Sequence, residues 1–379
     1  MRLTIDPHMP ICEKPQYFDH IVNGVRHLVN IQNADGSWGE EHRSTFQKIY
    51  YTTQVVQCLL KAGFPVASRA IEDAFAYLDN FREPSVENRA RFFLYLPLGK
   101  LSQSEVRDYL EMLKKRQRED GSFFYEIRDL KGKEVTIDEW PGVRRGSFIF
   151  YTLHALHFLS MIDGKEYSES TYLKDEIWDP AWQLILTQLS SAKPQYTLKD
   201  PAKGLGDPEL TSYAIGLLHK IGYQIPNFPQ VVIWLLDKQV QGGWLNSPKV
   251  TSFLIIDLST LSYDDQQLQL VKEAIAEAMR WLINEKERWE GSPNLTALVI
   301  SALISGNIFL SADFQEAFFV NYTEVLREET REGREEIRRM HVKSRTKNVI
   351  SFILGIAIEL AVTHLIIPNL PFLRGLLRL

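Results

Sequence analysis

Cysteine is nearly absent from this 379-residue chain, with Cys12 and Cys58 the only two. Two isolated thiols exclude a disulfide framework and a cysteine-rich zinc site, and they fit a reducing compartment. Strong charge of either sign is also missing. A net charge of -5 lacks the basic footprint that a nucleic-acid partner requires. The N-terminal stretch MRLTIDPHMPICEKPQYF has no apolar run after its arginine and carries Pro7, Pro10 and Pro15, so it does not read as a secretory signal. The main domain is therefore expected on the cytoplasmic side.

What the chain does have is apolar material in short, regularly spaced pieces. At 45% hydrophobic and 24% charged residues it is able to bury a large core. A loop pattern recurs between these pieces. Gln32-Asn33-Ala34-Asp35-Gly36-Ser37-Trp38 matches Gln117-Arg118-Glu119-Asp120-Gly121-Ser122-Phe123, and Gln239-Val240-Gln241-Gly242-Gly243-Trp244 is one residue shorter. Each loop follows an amphipathic stretch: Ile21, Val25, Leu28, Val29 and Gln32 share a helical face, as do Val106, Leu110, Leu113 and Gln117. Asp-Gly or Gly-Gly stops each helix, because glycine takes the left-handed conformation without steric cost. The aromatic ring is expected to fold back as a staple over the helix end.

A second pattern opens the helices that follow. Pro208-Glu209-Leu210-Thr211, Pro248-Lys249-Val250-Thr251 and Pro293-Asn294-Leu295-Thr296 share Pro-x-(Leu or Val)-Thr. Proline suits a first helical turn, where its missing N–H has no intrahelical role. Apolar runs from Tyr213, Phe253 and Leu298 follow, and Gly222 and Gly306 are read as closing the first and third, as Gly63 closes Val55 to Leu60. The period of roughly 40–45 residues gives one helix pair per unit, an all-α repeat array of about six pairs. Units without a clear loop fall near Asp79 to Phe81 and between Gln188 and Leu210.

These loops resemble the QW motif of triterpene cyclases, Gln followed by Gly-x-Trp, which appears in looser form in protein prenyltransferases. The resemblance spans roughly residues 17–310 and implies an (α/α)6 toroid, with inner helices around a central cavity. The family's known catalytic strings are not carried over. No Asp-x-Asp-Asp acid motif is present, Asp264-Asp265-Gln266-Gln267-Leu268 lacks the last carboxylate of Asp-Asp-x-x-Asp, and neither cysteine stands in the Asp-x-Cys string of a zinc site. No metal and no cofactor is expected. His154 and His157 sit at helical spacing, but no nearby group completes a metal site.

Candidate catalytic acids are Asp138 and Glu139, beside Trp140 in the loop after Phe123. Adjacent carboxylates against an indole raise one pKa by repulsion and desolvation, which makes a general acid. Arg144 and Arg145 oppose that shift if they pair with them. Glu40, Asp207 and Glu209, at loop-to-inner-helix junctions, read as helix caps. Tyr51, Phe93, Phe150, Tyr151, Tyr213 and Phe253, with Trp140, are the candidate substrate-binding wall, since aromatic faces suit an isoprenoid chain.

The chain divides into an extension (1–16), the toroid (17–310), a charged linker helix (311–347) and a membrane anchor with a short tail (348–379). Glu and Arg alternate from Glu324 to Lys347, and the largely apolar run from Val349 to Ile367 carries Glu359 and His364 as its titratable groups. That length of helix extends about 28 Å, near the hydrocarbon thickness. Arg and Lys crowd its N-terminal side, so the expectation is a single-pass inner-membrane protein with the toroid in the cytoplasm. Glu359 points to homo-oligomer contacts through the anchor. Two functions fit: a membrane-associated protein that binds an isoprenoid or other lipid in the toroid and cyclises it by protonation, or a non-catalytic toroid that senses a ligand and signals through the anchor.

Overall fold

A computed structural model describes residues 15–322 apart from 41–44, 65, 67, 82–88, 124–125, 129–133, 137–145, 163–170, 191–207, 224, 226–227, 312, 315–316 and 319–320. The chain falls into two compact units, Lys14–Glu316 and a second made of Met1–Glu13 with Ala317–Leu379. In the second, the rings of Phe318 and Tyr322 stack 5.5 Å apart. The charged linker beyond Tyr322 and the span Val349 to Ile367 lie outside the described residues.

The first unit is all-α. Its helices are α1 (Phe18–Asn30), α2 (Thr45–Lys61), α3 (Arg69–Leu78), α4 (Arg89–Tyr95), α5 (Gln103–Arg116), α6 (Gly146–Met161), α7 (Thr171–Ser190), α8 (Pro208–Lys220), α9 (Phe228–Leu236), α10 (Pro248–Leu258), α11 (Asp265–Asn284) and α12 (Pro293–Leu310). Strand is confined, among the described residues, to two small antiparallel pairs: Glu126–Arg128 with Glu134–Thr136, and Gln239–Val240 with Gly243–Trp244. The even-numbered helices form the inner layer. Helix α2 packs on α4, α6 on α8, α8 on α10, α10 on α12, and α12 back on α2. Phe93 of α4, edge-on to His154 of α6 at 5.5 Å, completes the closed ring. The odd-numbered helices lie outside, α1 on α12, α3 on α2, α7 on α6 and α11 on α10 and α12.

The recurring loops each tie together three helices. Trp38 is fully buried, and its indole Nε1–H donates to the carbonyl of Leu28 in the last turn of α1 at 2.6 Å. Its backbone N–H donates to Thr52 Oγ1 of α2 at 3.0 Å, while Gln32 Nε2 reaches the Ala70 carbonyl of α3 at 2.8 Å. The same three contacts recur at Trp244, with Leu235, Thr251 and, through Gln239, Ala274. Phe123 has no indole donor, yet its N–H donates to Thr152 Oγ1 and Gln117 to the Ile177 carbonyl. Trp289 adds a further case, donating to Leu282 and accepting from Thr296 Oγ1. Orphan carbonyls at helix ends are thus satisfied in the dry interior. Each Thr of the Pro-x-x-Thr pattern used here is the residue that meets its loop.

Gly36 and Gly121 sit at φ +84° and +83°, and a Cβ on either would run into a backbone carbonyl of the next outer helix, Asp73 or Pro180. Glycine is required there for conformation and for room. Gly222 and Gly63 are also left-handed helix ends. Gly306 is not: α12 runs past it to Leu310, and the glycine instead lets Met279, Ile255 and Ile275 press on the helix. The unit near Asp79 to Phe81, which has no such loop, is closed differently. Buried Arg91 reaches Glu105 at 3.1 Å and Asp79 at 3.6 Å and lies over the Tyr95 ring.

One described helix, α12, is long and apolar enough to cross a membrane by length and composition. Its most apolar stretch is 61% buried, as an inner helix held between α10 and α2.

Candidate functional site

All six inner helices contribute to one cavity of about 350 Å³. This falls in the usual range of small-molecule sites, roughly 300–1,000 Å³. Helical phase decides which side chains face it. On α2 the lining positions are Tyr50, Thr53, Gln54, Gln57 and Lys61, and on α10 they are Phe253, Ile256 and Asp257, both sets at i, i+3, i+4 spacing. Phe93, Tyr213 and Phe253, expected as wall residues, are there. Tyr51 is not among the lining side chains. One position further round the helix, it faces the loop at Gly39, and its neighbour Tyr50 takes the wall position. Phe150 and Tyr151 belong to α6, whose described backbone includes them without their side chains. Asp138, Glu139 and Trp140 lie outside the described residues.

Aromatic and aliphatic side chains make up half of the wall, and polar or charged ones the other half. Asp257 is one of two carboxylates in the lining, with Glu209. It accepts a hydrogen bond from Ser212 Oγ–H at 2.9 Å. Burial pushes its pKa from the ordinary 3.8 up to about 7; the Ser212 hydrogen bond opposes the rise, nearby Glu209 adds to it, and Lys61 opposes it. Lys61 ends α2 and hydrogen-bonds Ser305 of α12. The side chain keeps accessible surface because it faces the cavity, yet protein crowds it closely enough that burial lowers its pKa, against opposing fields from Cys58 and Asp257. Glu209, in the first turn of α8, lines the cavity and pairs with Lys249 at 2.8 Å.

A second polar group lies on α6 and α8. Tyr213 Oη stands 2.8 Å from His157 Nδ1 and 3.3 Å from His154 Nδ1, and Lys220 Nζ is 3.2 Å from His157 Nε2. Burial, reinforced by Lys220, lowers the His157 pKa to about 4, so the ring is neutral at physiological pH. Its Nε2 is then the acceptor for the ammonium and its Nδ1–H the donor to Tyr213. The two histidines are thus engaged with tyrosine and lysine. Among the described residues no cluster of three His, Cys, Asp or Glu stands ready for a metal ion.

On α2, Thr53 Oγ1 and Gln54 Oε1 are buried without hydrogen-bond partners. Such atoms are costly unless something else satisfies them. Cys58, behind the same helix, is fully buried and its thiol is pushed up to about 12, which leaves it inert.

No family model matches the chain, and no curated protein matches it. Among the solved structures that match is an apo type II terpene cyclase, MstE from Scytonema, at 14% identity and a TM-score of 0.49, covering 77% of this chain and 99% of that one. A likeness of that size speaks to neither activity nor ligand.

Proposed function

We propose that the ring holds an isoprenoid or similar lipid in its central cavity and acts on it by proton transfer, on a protein attached to the membrane through residues 349–367. One observation carries the reading: a cavity walled from six helices, with the rings of Tyr50, Phe93, Tyr213 and Phe253 in its lining and a carboxyl group, Asp257, that keeps its proton up to about neutral pH. An acid poised near the working pH has the right protonation state to give up a proton, and aromatic faces favour a positively charged intermediate. Asp257 takes precedence here over Asp138 and Glu139, because it lines the cavity.

Lipid extraction from purified full-length protein, followed by mass spectrometry, tests the binding. An isoprenoid recovered in near-stoichiometric amount supports the reading. An empty extract, together with no thermal shift on adding geraniol or farnesol, sinks it. Asp257→Asn is expected to abolish turnover of any lipid so found while leaving its binding nearly intact. Full turnover in that variant returns the acid role to Asp138 and Glu139. Resistance of the full chain to alkaline carbonate tests the membrane attachment, and ready extraction overturns it.

A further inference from the structure

We infer that Lys61 is a nucleophile that captures the carbonyl group of an apolar aldehyde or ketone as an imine, with Asp257 as the proton donor across the cavity. This deepens the lipid-binding reading and rests on it, since it supplies the functional group of the ligand.

The geometry separates Lys61 from the other two lysines near the cavity. Lys249 pairs with the Glu209 side chain at 2.8 Å. Lys220 donates to His157. Among the described residues, Lys61 is held by a hydroxyl, Ser305 Oγ. A hydroxyl accepts from an ammonium and donates to a free amine equally well, so this partner tolerates both states, as a carboxylate does not. Asp257 is held in the same way, by the hydroxyl of Ser212 rather than by a cation. The two groups feel each other electrostatically without forming an ion pair, and both line the same cavity. Burial favours the uncharged form of each, amine and carboxylic acid. That is the combination imine formation needs, because a desolvated lysine amine is a competent nucleophile toward carbonyls.

The step balances without any further reagent. The Lys61 nitrogen lone pair forms the C–N bond while the C=O π electrons move to oxygen, which takes the proton of Asp257. The nitrogen returns a proton to the carboxylate, giving a neutral carbinolamine. Asp257 then protonates the hydroxyl, water leaves with the C–O bonding pair, and the nitrogen lone pair closes the C=N bond. A neutral amine, a neutral acid and a carbonyl become an iminium, a carboxylate and one water. Nothing is oxidised or reduced. The new positive charge is born facing the new negative one, inside an apolar wall that strengthens their attraction.

The test uses the full-length protein, citral as the carbonyl probe, geraniol as its alcohol counterpart, and sodium cyanoborohydride to reduce any imine. Peptide mapping is expected to find one dominant adduct, on Lys61. Lys61→Arg, which keeps charge and length, should melt close to wild type and lose that adduct. Asp257→Asn should slow trapping by roughly 100-fold, the scale of a lost general acid, while geraniol still binds. Labelling of Lys61 no greater than that of surface Lys286 overturns the inference and, if geraniol binds, leaves the lipid-binding reading standing. Failure of both geraniol binding and trapping overturns both. Undiminished trapping in Asp257→Asn refutes the acid role.

Discussion

At the scale of single residues, the cavity holds two buried groups whose protons pull stability in opposite directions. Asp257 rises from 3.8 to about 7, so between these values the folded chain keeps a proton that the unfolded chain releases. Its contribution is present below about pH 4 and is lost as pH climbs to about 7. His157 falls from 6.5 to about 4, so the unfolded chain binds the extra proton and stability is lost as pH drops through that window. The wild-type profile should therefore be shallow. Melting of Asp257→Asn relative to wild type should gain steadily from pH 4 to pH 7 and level off above. The gain of His157→Phe should be greatest near pH 4 and shrink toward pH 6.5. Parallel curves for all three proteins would mean that neither group is buried as described. Asp257 was legible in the sequence, as a lone carboxylate inside the apolar run from Phe253 to Leu261, and Lys61 as a cation directly after Val55 to Leu60. A charge in such a setting is seldom there without a role. Neither stands in a loop or in one of the family's acid strings, so neither carries a motif.

At the scale of elements, the loops set the strength of the fold. Trp38→Ala or Trp244→Ala removes a fully buried ring and leaves the Leu28 or Leu235 carbonyl without its donor. A loss of about 3–5 kcal/mol is expected in denaturant unfolding. Glycines separate two kinds of close approach. Gly36→Ala forces a left-handed backbone and a collision with a backbone carbonyl that has nowhere to go, so it should cost more than about 2 kcal/mol. Gly306→Ala meets first the flexible thioether of Met279, and gains helix propensity of about 1 kcal/mol, so the net change should stay within about 1 kcal/mol. Equal costs for the two would remove the distinction. The loops and the helix openings were readable because caps and prolines act locally. Gly306 was misread as a stop because a glycine after an apolar run looks the same whether it ends a helix or admits a neighbour. The Arg91 cluster had no sequence signal, since its partners Asp79 and Glu105 come from different units.

At the scale of the whole ring, closure depends on the last inner helix. Helix α12 seats against α2 and α1, where Gly24 makes room for Ile300, and Lys61 meets Ser305 across 244 residues of sequence. A chain stopped after Ser292 should lose cooperative melting, whereas one stopped after Glu316 should retain it, as followed by circular dichroism on heating. Cooperative melting of the shorter chain would show that the wall stands without its last member. The same arrangement bears on synthesis. A ribosome delivers α12 after every other helix of the ring, so the apolar wall stays open to chaperones until then, and contacts of such long range form slowly. Because α12 matches a membrane segment in length and composition, its docking on α10 and α2 is the step that withdraws this apolar surface from any competing apolar environment.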